Sequence, residues 1–183
     1  ISHQSYMLMQ AAYGFRMSNP KTTEHWIREY GGDLGIALPD TLTTDVFLKS
    51  FERLHAQAWK GTRLDSGDLI AAAMKWAAKM RSYDIDPLSK LYIPSNGLTD
   101  KTAIAFRDEL DHRLGGKSKT NAMLGTYMVN DVGYDPSAIV CKLDAAPLTP
   151  QDDWERGGKL SDEFGKDSGD PTRAGAARAE VGA

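Results

Sequence analysis

Thr62-Arg63-Leu64 runs into Asp65-Ser66-Gly67-Asp68, and Leu69, Ala73, Trp76, Ala77 and Met80 follow as an apolar helical stripe. A short strand, a polar turn and an amphipathic helix, in that order, open a βαβ unit. Working upstream, Gly35-Ile36-Ala37-Leu38 is short and apolar and ends in Pro39-Asp40, as a strand that opens into a loop does. Over residues 44–59, Phe47, Phe51, Leu54 and Ala58 recur on one helix face, with Thr43, Thr44 or Asp45 as the cap.

Downstream the order repeats. Leu91-Tyr92-Ile93 predicts a strand, with Pro94 unable to donate a ladder hydrogen bond. Ser95-Asn96-Gly97-Leu98-Thr99-Asp100 is a turn with helix-capping chemistry, and Ala103, Phe106 and Leu110 continue it as a helix face. Ala122-Met123-Leu124 predicts a strand ending at Gly125-Thr126, and residues 138–143 predict another from their isoleucine and valine. The strand ends near Leu38, Leu64, Ser95 and Gly125 lie about thirty residues apart, the length of one βαβ unit, so the expected class is α/β with a parallel sheet. An open doubly wound sheet and an arc of a barrel share this rhythm, since a closed eight-stranded barrel takes roughly 250 residues.

The ends are less orderly. Met7, Leu8, Ala11 and Ala12 predict a helical start, and Trp26, Ile27 and Tyr30 one face of a short helix. Two segments are expected: residues 1–146 as the α/β domain and 147–183 as a C-terminal segment whose alanine, arginine and glycine tail after Pro171 has little to bury. The chain opens on Ile1 without a start-like region, which predicts that it begins inside something longer.

With 22 Lys+Arg against 25 Asp+Glu, the net charge of -3 and the lack of a dense basic stretch argue against a nucleic-acid partner. No stretch has the roughly 20 apolar residues of a membrane span, so no membrane partner and a cytoplasmic location are expected. Cys141, the single cysteine, cannot form an intramolecular disulfide, and its apolar neighbours predict a buried thiol.

In parallel α/β folds, chemistry collects where strands end and helices begin, because exposed N–H groups there favour anions. Four polar clusters occupy such positions: Pro39-Asp40-Thr41, residues 63–68, residues 95–100, and Gly125-Thr126. Arg63 can clamp phosphate oxygens, while Asp65 can accept hydrogen bonds from ribose hydroxyls or help to hold magnesium. The structural alternative has Ser66 capping a helix, Asp68 stabilising its first turn and Arg63 pairing with a carboxylate. Ser95-Asn96-Gly97 and Gly125-Thr126 are turns whose backbone donors can cradle a phosphate, since no bulky side chain holds a ligand away. His25, His55 and His112 fall in helical stretches and are expected to be structural or surface residues. Lys159-Leu160-Ser161-Asp162 with Gly165-Lys166-Asp167 suggests a charged, solvated hairpin, and Lys142 a solvent-facing position on its strand.

Taken in order, Gly35-Ile36-Ala37-Leu38-Pro39-Asp40-Thr41, Thr44-Asp45-Val46-Phe47-Leu48, residues 61–68, Ser95-Asn96-Gly97-Leu98, residues 125–131, Ile139-Val140-Cys141-Lys142-Leu143 and Lys159-Leu160-Ser161-Asp162 resemble successive landmarks of the nicotinate phosphoribosyltransferase family. The resemblance implies a partial (β/α) barrel of the type II phosphoribosyltransferase kind. It also implies formation of nicotinate mononucleotide and pyrophosphate from nicotinate and 5-phosphoribosyl 1-pyrophosphate, coupled to ATP hydrolysis through a phosphohistidine in NAD salvage.

Carried over by position, Arg63 and Asp65 are the expected catalytic pair, with Asp65 also on Mg2+. Asp40, Ser66, Ser95, Asn96, Gly97, Gly125 and Thr126 would line the substrate site. ATP is the implied co-substrate, and the resemblance leaves a homo-oligomer open. Two departures stand out. Met123-Leu124 precede Gly125 where the family has Phe-Gly-Ile-Gly, and the phosphorylated histidine is expected just before the position of His3. The reading that follows is a C-terminal portion lacking the N-terminal domain and inactive by itself. A nicotinamide-specific relative and a noncatalytic sugar-phosphate-binding remnant are the alternatives.

Overall fold

The computed structural model describes residues 1–129, 141–147, 153–163, 166–169 and 171–182. Along the chain run α1 (His3–Tyr30), β1 (Ile36–Ala37), α2 (Thr44–Ser50), α3 (Arg53–Ala58), β2 (Gly61–Leu64), α4 (Leu69–Arg81), β3 (Leu91–Pro94), α5 (Asp100–Leu114), β4 (Lys119–Thr120), α6 (Thr126–Val129), β5 (Ala145–Ala146), β6 (Glu155–Arg156) and α7 (Pro171–Val181). Short 3-10 turns occupy Pro39–Thr41 and Pro87–Ser89. Two compact units result, Gly61–Cys141 and a second built from Ile1–Lys60 with Lys142–Ala183. The C-terminal segment thus packs with the N-terminal one.

In the 61–141 unit, β2 pairs in parallel with β3, and β3 with β4. Gly61 is required at the first crossing: a Cβ there would lie 2.0 Å from the Leu91 carbonyl oxygen. Asp68 caps α4 by accepting from the N–H groups of Ile70 and Ala71 at 2.9 and 3.0 Å. Ala72, Ala73, Trp76, Ala77 and Met80 bury one face of that helix, at a gain of about 25 cal/mol per Å² of apolar surface. Thr99 and Thr102 form a capping box at the start of α5, and Gly115 ends the helix in the left-handed region. The strand expected at residues 122–124 lies earlier, at Lys119–Thr120. The ladder nevertheless continues, with Asn121 N–H donating to Tyr92 O at 3.0 Å and Met123 N–H to Pro94 O at 2.9 Å.

In the other unit, α1 absorbs both helices expected near the start. Gly14 breaks it with φ 76 and ψ 169. In a straight helix Ser5 and Tyr30 would stand roughly 37 Å apart, yet both line one groove of about 220 Å³, so the limbs on either side of Gly14 turn back toward each other. Tyr6, Phe47, Phe51 and Trp59 form a chain of ring contacts in the core.

The helix expected over residues 44–59 breaks into α2 and α3 at Phe51 and Glu52. This shift in phase exposes Leu54 and turns His55 and Ala56 inward. The tail expected to be poorly ordered instead forms α7, whose Ala177 packs with Phe15, Leu42 and Leu160. Small residues allow the close helix approach that their sparse apolar surface concealed. Cys141 is exposed, contrary to the buried thiol expected. Residues 138–140 of the predicted strand lie outside the described residues, and residues 141–143 take no strand conformation. No helix among the described residues is long and apolar enough to cross a membrane.

Candidate functional site

Arg63 stands on β2 opposite Ile93, and Leu64 opposite Pro94, so the loops opened by Asp65 and Ser95 leave the same end of the parallel sheet. Their side chains meet there. Arg63 Nη2 donates to Asp65 Oδ1 at 2.7 Å, and Arg63 Nε donates to Ser95 Oγ at 2.9 Å. Ser95 Oγ lies 2.8 Å from Asp65 Oδ1 and 3.0 Å from Leu64 O, and its single proton serves one of these acceptors at a time. The backbone N–H of Ser95 donates to Leu64 O at 2.8 Å, which ties the two loops together. The side chains of Arg63 and Asp65 keep 33% and 18% of their surface exposed, so the pair is reachable from solvent.

The remaining predicted residues divide clearly. Ser66 is buried and Asn96 half-buried in these loops, and Asp68 rather than Ser66 caps the following helix. Gly97 has φ 59 with open space where a Cβ would stand, and Gly125 has the same open space. Gly125 is carried to this end of the sheet because Met123 is bonded to Pro94. Thr126 begins α6. Asn130 and Asp131, which closed one sequence landmark, lie outside the described residues.

Asp40 belongs to the second unit. It is 2% exposed and forms an ion pair with Lys159 Nζ at 3.1 Å, while His3 Nε2 lies 3.7 Å from its other oxygen. His3 Nδ1 is 2.8 Å from Thr41 Oγ1. Two backbone bonds between Lys159 and Ser168 confirm a hairpin, but Lys159, Leu160 and Ser161 are buried, which corrects the solvated reading. The cause is threefold. Leu160 N–H donates to Thr41 O at 2.6 Å, Leu160 enters the apolar core, and the Asp162 carboxylate accepts from the Thr44 N–H at 2.9 Å and from the Thr44 hydroxyl. A carboxylate at the first residue of α2 complements the helix dipole. Lys159 is thus the residue that site reasoning missed, although its neighbours already stood among the landmarks.

Both clusters hold charge in a fixed geometry. The open one offers guanidinium donors beside a carboxylate at a strand end, a donor and acceptor set suited to a sugar phosphate. The buried one holds a histidine between a hydroxyl and an ion-paired carboxylate.

The model of the nicotinate phosphoribosyltransferase (NAPRTase) family matches residues 1–154. A nicotinate phosphoribosyltransferase from Desulforapulum autotrophicum is 37% identical over 170 residues, covering 93% of this chain and 43% of that protein. One from Chromohalobacter salexigens is 38% identical over 170 residues, covering 93% and 42%. Among solved structures, the nicotinate phosphoribosyltransferase of Porphyromonas gingivalis superposes with a TM-score of 0.91 at 37% identity, over 100% of this chain and 46% of that one.

The chain thus spans less than half the length of these relatives. The likeness nevertheless extends over 93% to 100% of it and begins at residue 1 in the family match. The expected resemblance of a C-terminal portion is thereby corrected to a family likeness that runs along the whole of this chain. The fold is the α/β, partial (β/α)-barrel type of these solved structures.

Proposed function

We propose a function from one premise: the chain belongs to the nicotinate phosphoribosyltransferase family. The reaction is formation of nicotinate mononucleotide and pyrophosphate from nicotinate and 5-phosphoribosyl 1-pyrophosphate, coupled to ATP hydrolysis. The observation that carries it is the arrangement at the end of β2. Arg63 is anchored through Nε and Nη2, which leaves the two Nη1 donors and one Nη2 donor for phosphate oxygens. Asp65 grips the ribose hydroxyls or a magnesium ion. Ser66, Asn96 and Gly97 complete these loops, and backbone donors at Gly125 and Thr126 take the 5′-phosphate, with the open space at Gly97 and Gly125 as room for it.

The pyridine nitrogen forms a bond to the anomeric carbon as the bond to the pyrophosphate oxygen breaks, and the electron pair leaves with pyrophosphate. Charge builds on the sugar ring and the leaving group, so placement and electrostatic stabilisation matter more than a strong base. The donor set fits magnesium, which takes oxygen ligands and is commonly held by one or two carboxylates together with substrate phosphates; Asp65 supplies such a carboxylate. When bound, magnesium would offset leaving-group charge.

His3 is assigned a supporting part beside the ATP-coupled step and not the part of phosphoacceptor, because its ring is buried with Nδ1 against Thr41 and Nε2 facing the Asp40–Lys159 pair. By contrast, His55 caps a helix, and His112 is exposed.

Calorimetry of the chain with phosphoribosyl pyrophosphate and magnesium tests the main reading. Saturable binding is expected, with nicotinate rather than nicotinamide binding in its presence. No heat and no shift in melting temperature would overturn the sugar-phosphate assignment, and a preference for nicotinamide would overturn the choice of base.

A further inference from the structure

We propose that Ser95 is a positioning residue: it does not meet the substrate, and it acts by holding Arg63 and Asp65 in the orientation that binding requires. This rests on the reading of the site as a phosphoribosyl site and identifies the part that acts indirectly.

Valence decides the matter. A serine hydroxyl has one proton and two acceptor lone pairs. Ser95 Oγ already accepts from Arg63 Nε at 2.9 Å, and its proton is committed to Asp65 Oδ1 at 2.8 Å or Leu64 O at 3.0 Å. The carboxylate is the better acceptor because charge strengthens the bond. What Ser95 presents to a ligand is therefore small, whereas what it does to its neighbours is large.

The arginine side of the triangle has the complementary pattern. A guanidinium carries five donors in a rigid fork. Ser95 takes Nε, Asp65 takes one proton of Nη2, and the far edge of the fork, with both Nη1 protons, is turned away from these two anchors by the planarity of the group. The edge offered to a phosphate is thus set by the two groups that occupy the others. Removal of the hydroxyl would leave the guanidinium pivoting about one contact, and ligand binding would then bear the cost of ordering a long side chain.

Ser95 can do this because of the sheet. Leu64 is opposite Pro94, and the N–H of Ser95 donates to Leu64 O at 2.8 Å, so the residue after β3 is fixed directly beside the residues that end β2.

The test uses Ser95→Ala, Ser95→Thr and Arg63→Ala, with calorimetry against phosphoribosyl pyrophosphate and magnesium. Ser95→Ala is expected to weaken binding by roughly tenfold, the scale of one hydrogen bond to a charged group. Ser95→Thr, which keeps the hydroxyl, is expected to restore most of the affinity. In an Arg63→Ala background, Ser95→Ala should have a clearly smaller effect, limited to what the hydroxyl does through Asp65. A full and equal loss in both backgrounds would mean that Ser95 touches the ligand itself, and no loss in either would mean that it does nothing; both overturn the proposal.

A ligand-free measurement separates this from failure of the function. In 15N spectra of the arginine side chains, the Arg63 Nε–H is expected to be protected from solvent exchange, and to lose that protection in Ser95→Ala but not in Ser95→Thr. An unchanged signal overturns the positioning role. A protected signal in a wild-type chain that fails to bind phosphoribosyl pyrophosphate keeps that role and removes the substrate assignment instead.

Discussion

The two charged clusters differ in how they are assembled. Arg63, Asp65 and Ser95 come from the ends of adjacent parallel strands, and two of the three lie two positions apart. His3, Asp40 and Lys159 gather from distant parts of the sequence: His3 and Thr41 are 38 positions apart, and Thr44 and Asp162 are 118 apart. The first cluster keeps a solvent-reachable face. The second is buried almost completely. Exposed charge costs little to keep and is available to a ligand. Buried charge is expensive unless it is paired, so its pairing bears on stability as well as on chemistry.

Lys159→Met should break this comparison most severely. It removes the cation paired with the buried Asp40 carboxylate, and the expected loss is about 3–5 kcal/mol of unfolding free energy in urea. Arg63→Met in the open cluster should cost less than about 1 kcal/mol, because solvent screens that pair. Adding Asp40→Leu to Lys159→Met should recover part of the loss, since no buried carboxylate then remains. If Lys159→Met proved as stable as wild type, the buried ion pair would not be present in solution.

The effect on binding should run the other way in the open cluster. Arg63→Ala is expected to weaken phosphoribosyl pyrophosphate binding by about a hundredfold, the scale of two charge-assisted hydrogen bonds. Asp65→Asn should weaken it less in the absence of magnesium than in its presence, because the substitution removes a charge that the metal uses and retains a hydrogen-bonding side chain. Titrations with and without the metal measure this. An equal loss in both would remove Asp65 from the metal and leave it on the ribose alone.

How much of this the sequence revealed follows from the same difference. The open cluster was legible because its parts sit at strand ends, and a strand, a polar turn and a helix stripe are all local patterns. Even there, details of geometry were hidden. Asp68 caps α4 and leaves Ser66 buried, although either side chain can cap, because only the position at which the helix actually begins selects one. The buried cluster was illegible because no local pattern distinguishes a solvated lysine from one that is folded onto a carboxylate far along the chain. Lys159 was read as exposed for that reason. The same limit applies to Leu54, which an unbroken helix would have buried; the extended backbone at Phe51 and Glu52 shifts the phase and turns His55 inward in its place. It applies again to α7, where alanine and glycine offer little to bury until another helix approaches closely enough to use them.

Two capping boxes repeat the comparison on a smaller scale and give the finest test. At the start of α5, Thr99 and Thr102 cap each other in solvent, with Thr102 N–H donating to Thr99 Oγ1 at 3.2 Å. Thr99→Ala should cost about 1 kcal/mol, and no titrating group belongs to this box to make the cost vary with pH. At the start of α3, the Glu52 N–H donates to His55 Nδ1 at 3.3 Å, inside a cage made by Phe51 and Trp59. Nδ1 can accept only while it carries no proton, so the cap requires neutral imidazole with its proton on Nε2. Burial holds the His55 pKa below the ordinary histidine value, against the opposing pull of Glu52 and Glu24. A depressed folded-state pKa means that the unfolded chain binds the proton more tightly. Stability is then full above the unfolded value and falls as the pH drops through the folded one. Amide exchange at α3 should therefore accelerate, beyond the intrinsic dependence on pH, as the solution is acidified from pH 7 to 5, while exchange at α5 keeps to the intrinsic dependence. His55→Gln should remove the excess at α3, and an α3 response that persists in this variant would place the titrating group elsewhere.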